Sequence, residues 1–161
     1  MADDRGWAAT LSGFRTALLV TRGAGGHLHG RPMAMRQQVR GEEIWFATSI
    51  ASKKCDDLAA EAGCALIFSA ADGTTLSISG QGEVIRDRKL ATELWDRSWA
   101  RWFPEGPAQK DLALLRVIPE HVERHDGETG RCEVLFASPR SRKAAAVRRP
   151  AARRGAGRRG A

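Results

Sequence analysis

The residues Thr48, Ser49, Ser52, Lys53 and Lys54 place hydroxyls and two ammonium groups between an apolar run, Ile44 to Ala47, and a helix-like stretch, Cys55 to Ala60. The first turn of a helix carries unpaired N–H groups and a partial positive charge. A hydroxyl at the cap with ammonium groups beside it suits a phosphate, whose oxygens accept several charge-assisted hydrogen bonds. The apolar strand leading in could underlie a planar group attached to that phosphate. The same residues also read as a capped surface helix with solvated lysines, and spacing alone does not separate the two.

Other reactive residue types are more scattered. His27 and His29 could offer two metal ligands from one strand face, but the three cysteines, Cys55, Cys64 and Cys132, lack C-x-x-C spacing. A solvated loop is the expectation there, and no metal site is expected. There is no G-x-S-x-G elbow, and Ser49, His125 and Asp126 do not assemble into a triad by spacing. Cys55 lies at a helix start near two lysines, a setting that lowers a thiol pKa; a small packing residue is the preferred reading. Gly23 to Gly26 joins two strands, so a hairpin is expected and not a nucleotide loop. Asp87 reads as a helix cap, and Trp95 and Trp99 as packing residues on one helix face. No catalytic residue stands out.

The elements that must position these groups can be read from pattern. A chain of 161 residues fits one domain with an adequate core. Residues 1–138 are assigned to that domain and residues 139–161 to a basic tail of Arg, Ala, Gly and Pro, expected to be disordered. The formal charge of +7 comes from the tail, so the high pI does not imply a basic face on the domain. Weak, nonspecific contact of the tail with polyanions is conceivable, though no aromatics are interleaved for base stacking. MADDRGWAAT lacks the basic and apolar regions of a secretory signal. No apolar run approaches the roughly 20 residues of a membrane span. A cytoplasmic protein with reduced thiols is expected.

Along the chain, a short helix over Trp7–Gly13 precedes a strand over Phe14–Thr21, buried on both faces. A second strand covers Arg31–Val39, with Met33 and Met35 on one face, Arg36 on the other, and Pro32 requiring an edge or bulge. Strands at Ile44–Thr48, Cys64–Ser69, Thr75–Val84 and Leu112–His125, the last interrupted at Pro119, complete the set. Helices are expected at Ser52–Glu61 and from Arg88 to about Ala100. Residues 131–138 fit either helix or strand. Without βαβ repetition, a small closed Greek-key barrel is favoured over a doubly wound fold.

The stretches GRPMAM (30–35), IWFATSIASKK (44–54), SISGQGEVIRD (77–87), LWDRSWARWFPEG (94–106) and LALLRVIPEHVERHD (112–126) occur in this order. Together they resemble the general stress protein 26 branch of the pyridoxamine 5′-phosphate oxidase-like flavoproteins, over about residues 14–126. The resemblance implies a mainly β fold with inserted helices, a six-stranded antiparallel Greek-key split barrel. It also implies a homodimer with FMN, or FAD, at the subunit interface. Carried over, Arg31, Pro32 and Met33 would lie along the flavin. Trp45, Phe46, Ala47 and Thr48 would face the ring and ribityl chain. Ser52 and Lys54 would hold the phosphate, with Lys53 second and Arg31 able to assist. Trp102 and Phe103 would close the pocket from the partner subunit.

Two departures bear on the pocket: His125 stands where many relatives have Trp, and Leu76 where many have Tyr or Val. The C-terminal segment that true pyridoxamine phosphate oxidases use for substrate is not evident, which argues against that activity. The implied function is a flavin-dependent oxidoreductase of unknown substrate. Alternatives are a non-catalytic protein that binds or stores flavin, and a split barrel with deazaflavin or haem.

Overall fold

Alternation of side chains sets which face of each strand turns inward. In the computed structural model, which describes residues 6–33 and 38–140, β1 (Ala17–Arg22) buries Ala17, Leu19 and Thr21 and turns Leu18 and Arg22 outward. The strand therefore starts later than expected and has one buried face, not two. The expectations for Met35, Arg36 and the tail beyond Arg140 lie outside the described residues.

Upstream, α1 (Trp7–Thr10) and a 3-10 turn at Leu11–Gly13 bury Trp7 and Leu11. Downstream come β2 (Leu28–Met33), β3 (Gln38–Arg40), β4 (Glu43–Ser49), α2 (Lys53–Ala60), β5 (Gly63–Ser69), β6 (Thr75–Ile85) and α3 (Arg88–Glu93). Short 3-10 segments at Arg97–Arg101 and Gly106–Ala108 lead to β7 (Leu112–His125) and β8 (Cys132–Ala137).

Two expectations change and one open alternative is decided. The second helix is not continuous to Ala100: Asp87 caps α3 through Leu90 N–H, and Asp96 starts the 3-10 turn by accepting from Ser98 N–H. Trp95 and Trp99 still meet edge to face, with centroids 5.8 Å apart, but across this break and not along one helix. Pro119 does not interrupt β7; it pairs with Gly80 at a register shift in β6. A Cβ on Gly80 would lie 2.1 Å from the Ile118 carbonyl oxygen, so only glycine admits this close approach. Residues 131–138 resolve to a strand, β8, paired with β7.

Every strand pair is antiparallel, and the path runs β2-β1-β5-β6-β7-β4-β3, with β8 added to β7. The expected six strands are all present, the second as the two pieces β2 and β3, and β8 adds one more. The path begins and ends on these two pieces. Met33 and Gln38 are five Cα steps apart, at most about 19 Å, whereas a flat seven-strand path would be about 29 Å wide. The sheet must therefore curl until its edges approach, which makes it a split barrel. Pro32 sits in β2, at an end of the path, where its missing N–H costs no ladder bond.

One apolar cluster fills the barrel, including Leu19, Ile44, Phe46, Leu66, Phe68 and Val117. A second lies outside, where Leu94, Trp99 and Phe103 cover Trp45, Ala47 and Leu114. β4 is thus buried on both faces, and the segment that covers it also forms one wall of the cavity described next.

Candidate functional site

At the end of β4 the chain turns sharply. Ile50 N–H donates to Asp111 O at 2.7 Å and Ser52 N–H to Ser49 O at 3.0 Å, after which α2 begins. Ser52 stands at the N-cap in an extended conformation, but its hydroxyl caps no backbone N–H. It instead accepts from Lys54 Nζ at 2.6 Å, and the same ammonium donates to Thr48 Oγ1 at 3.0 Å. Thr48, Ser52 and Lys54 therefore converge through the ammonium and not through a cap.

Lys54 and Thr48 border a cavity of about 280 Å³, together with Pro32, Met33, Ala47, Ser49, Trp102, Phe103 and Asp111. Burial, the largest cause, lowers the Lys54 pKa, and Arg31 lowers it further against the opposing effect of Cys55. None of the ion pairs among the described residues includes Lys54. Hydrogen bonds from Gln109, then Ser49, hold Asp111 below the usual carboxylate range.

Of the residues singled out in the sequence, Pro32, Met33, Ala47, Thr48, Lys54, Trp102 and Phe103 line this one cavity. Trp102 and Phe103 do so within the same chain, without a second subunit. Trp45 and Phe46 do not line it: their side chains are in the outer and inner apolar clusters. Lys53 points to solvent. Leu76 is in the barrel core and His125 lies at the far end of β7, so in this chain neither departure from the family pattern touches the cavity.

Arg31 is committed elsewhere. It donates to Thr21 Oγ1 at 3.0 Å and to Asp57 Oδ2 at 3.1 Å, while Thr21 donates to the same carboxylate at 2.8 Å. His29 Nδ1 lies 3.4 Å from Asp57 Oδ2. The hydrogen bond from Thr21, then those from Arg31 and His29, holds the buried Asp57 below the usual carboxylate range despite desolvation. Sequence reasoning missed Asp57 and Asp111 as part of this neighbourhood. Asp57 shares the buried side of α2 with Cys55 and Leu58, but an aspartate in a helix carries no local signal that a strand threonine and arginine will meet it.

Cys55 also differs from the activated-thiol alternative. It is buried, its Sγ lies 3.4 Å from the Ser49 carbonyl, and desolvation pushes its pKa up despite Lys54.

An antiparallel split barrel with a basic, hydroxyl-lined junction between a strand and a helix defines the class. The chain belongs to the family described as pyridoxamine 5′-phosphate oxidase like, whose model matches residues 5–146. Among solved structures it is similar to a protein related to general stress protein 26 from Clostridium acetobutylicum, with a TM-score of 0.71 and 18% identity over 80% of this chain and 89% of that one. It is also similar to the general stress FMN/FAD binding protein of Xanthomonas citri, with a TM-score of 0.66 and 28% identity over 80% and 91%. A third is a pyridoxamine 5′-phosphate oxidase-related, FMN binding protein from Nostoc punctiforme, at 0.65 and 16% over 83% and 89%. No curated protein matches the chain.

Proposed function

We propose that this chain is an FMN-binding flavoprotein and a flavin-dependent oxidoreductase, with the phosphate held at the junction of β4 and α2. The observation that carries this reading is Lys54: a half-buried ammonium, oriented by two hydroxyls, with no carboxylate paired to it among the described residues. A half-buried cation that has lost part of its hydration favours an anionic ligand. Pro32, Met33, Ala47, Trp102 and Phe103 add apolar walls for a planar ring. FAD carries the same flavin and phosphate and is the alternative cofactor.

A bound flavin would supply the electron or hydride chemistry; the chain's residues bind, orient and exclude water. Asp111, held ionised at the cavity, offers no proton there. That suits transfer of a hydride, and it equally suits the second reading, a protein that binds or stores flavin without turnover. Reduction of the bound flavin by NAD(P)H followed by reoxidation with an acceptor separates the two.

We further propose a homodimer. At about 280 Å³ the cavity falls below the roughly 300–1,000 Å³ of most ligand pockets, so a second copy would complete the enclosure. Leu18, which pairs with Pro32, and Leu28, farther along β2, are 40% and 64% exposed on the outer face of β1 and β2.

Titration of FMN against the purified chain, followed by flavin fluorescence, tests the site. Ser52→Ala/Lys54→Ala should weaken binding by about 2–4 kcal/mol, roughly 30- to 1,000-fold. Failure of the unmodified chain to bind FMN or FAD, or equal binding by the double variant, would sink the assignment.

A further inference from the structure

His121, Glu123 and His125 alternate along β7, so period two places all three on one side of the strand. Cys132 of β8 pairs directly opposite His125. The result is a compact group away from the flavin cavity. His125 Nε2 lies 3.6 Å from Glu123 Oε2, and Cys132 Sγ lies 3.7 Å from His125 Nε2. One ligand atom each from Glu123, His125 and Cys132 lies within 4.8 Å of the others. The other carboxylate oxygen of Glu123 is taken by His121 Nε2, at 2.9 Å.

We propose that Glu123, His125 and Cys132 form a binding site for a borderline divalent transition metal, zinc being the best fit. Three arguments support it. The first is chemical: one thiolate, one imidazole and one carboxylate are a ligand set that zinc accepts, with a fourth position left for water. The second is metric. Tetrahedral zinc with ordinary bond lengths puts a nitrogen and a sulfur ligand about 3.6 Å apart, and a nitrogen and an oxygen ligand about 3.4 Å apart. The two separations at His125 are close to both values, and the Cys132 sulfur and the Glu123 oxygen, within 4.8 Å of each other, need only close to about 3.6 Å to share an ion. The third is the second layer of contacts. His121 holds the non-ligating oxygen of Glu123, which fixes the carboxylate with its free oxygen toward His125, the arrangement that outer partners of metal ligands provide. On binding, the Cys132 S–H bond breaks, a sulfur–metal bond forms, and the proton leaves to solvent.

The bland explanation of the same distances is a hydrogen-bonded polar cluster at the edge of the barrel, and experiment separates the two. Cobalt(II) serves as the probe on the full chain, with zinc in competition. The expected result is one equivalent bound per chain, a thiolate-to-cobalt charge-transfer absorption, and its displacement by zinc. Cys132→Ser should abolish that absorption, and His125→Ala should lower affinity at least 100-fold. His121→Ala should lower it about 10- to 100-fold while keeping the thiolate band. Zinc should also slow alkylation of Cys132. Far-UV circular dichroism and thermal midpoints of each variant check folding, and FMN titration checks that the other site is untouched. No thiolate band with cobalt, or binding that survives both Cys132→Ser and His125→Ala, would overturn the proposal.

Discussion

At the residue scale, the buried carboxylate of Asp57 organises more of the molecule than its sequence position suggests. It ties β1, through Thr21, and β2, through Arg31 and His29, to α2. Its pKa is depressed in the folded chain, so its contribution to stability is fully present above the unfolded value of about 3.9 and is lost as pH falls through the folded value. Asp57→Asn should remove that part of the acid sensitivity. Urea midpoints of the two proteins measured from neutral pH downward should converge in acid; a constant offset would refute the linkage. The thiols give a second prediction at this scale. Desolvation raises Cys55, and raises Cys64 to about 12, whereas Cys132 is exposed. In metal-free native protein, alkylation followed by peptide mass mapping should label Cys132 first. Cys55 and Cys64 should become labelled on unfolding.

At the scale of elements, the segment from α3 through Phe103 has two duties. Its inner side covers Trp45, Ala47 and Leu114, and its end supplies Trp102 and Phe103 to the cavity wall. Trp99, fully buried, anchors it. Trp99→Ala should cost about 3–5 kcal/mol of stability, read from urea unfolding. It should also weaken FMN binding, because the wall loses its anchor. Unchanged FMN affinity in folded Trp99→Ala would show that this segment does not shape the site. The register shift opposite Pro119 is a second device at this scale: Gly80 lets β6 and β7 stay paired past a residue that cannot donate.

For the whole molecule, the proposed homodimer rests on the outward face of β1 and β2. A lone exposed leucine needs no explanation. Leu18, paired with Pro32 beside the incompletely enclosed cavity, and Leu28, farther along β2 on the same face, fit a self-association surface. Leu18→Arg should shift the chain from dimer to monomer in sedimentation analysis and reduce FMN affinity at least tenfold. A chain that is monomeric before substitution, yet binds FMN tightly, would remove the need for a second copy.

The sequence by itself determined the class of strands and their approximate places, and the helix after β4. These depend on period-two alternation, turn residues and separations of a few residues, all local physics. It also carried the family, because several short stretches recur in fixed order. Tertiary structure decided what distant chain segments do to one another. It drew Arg31 to Asp57 across 26 residues, raised Cys55 by burial where local charge argued the reverse, and covered Trp45 from outside while Phe46 filled the barrel. It broke the second helix where Asp96 offered a competing cap. It also set Cys132 opposite His125, since strand register is fixed by the packing of the whole sheet and not by any neighbour in sequence.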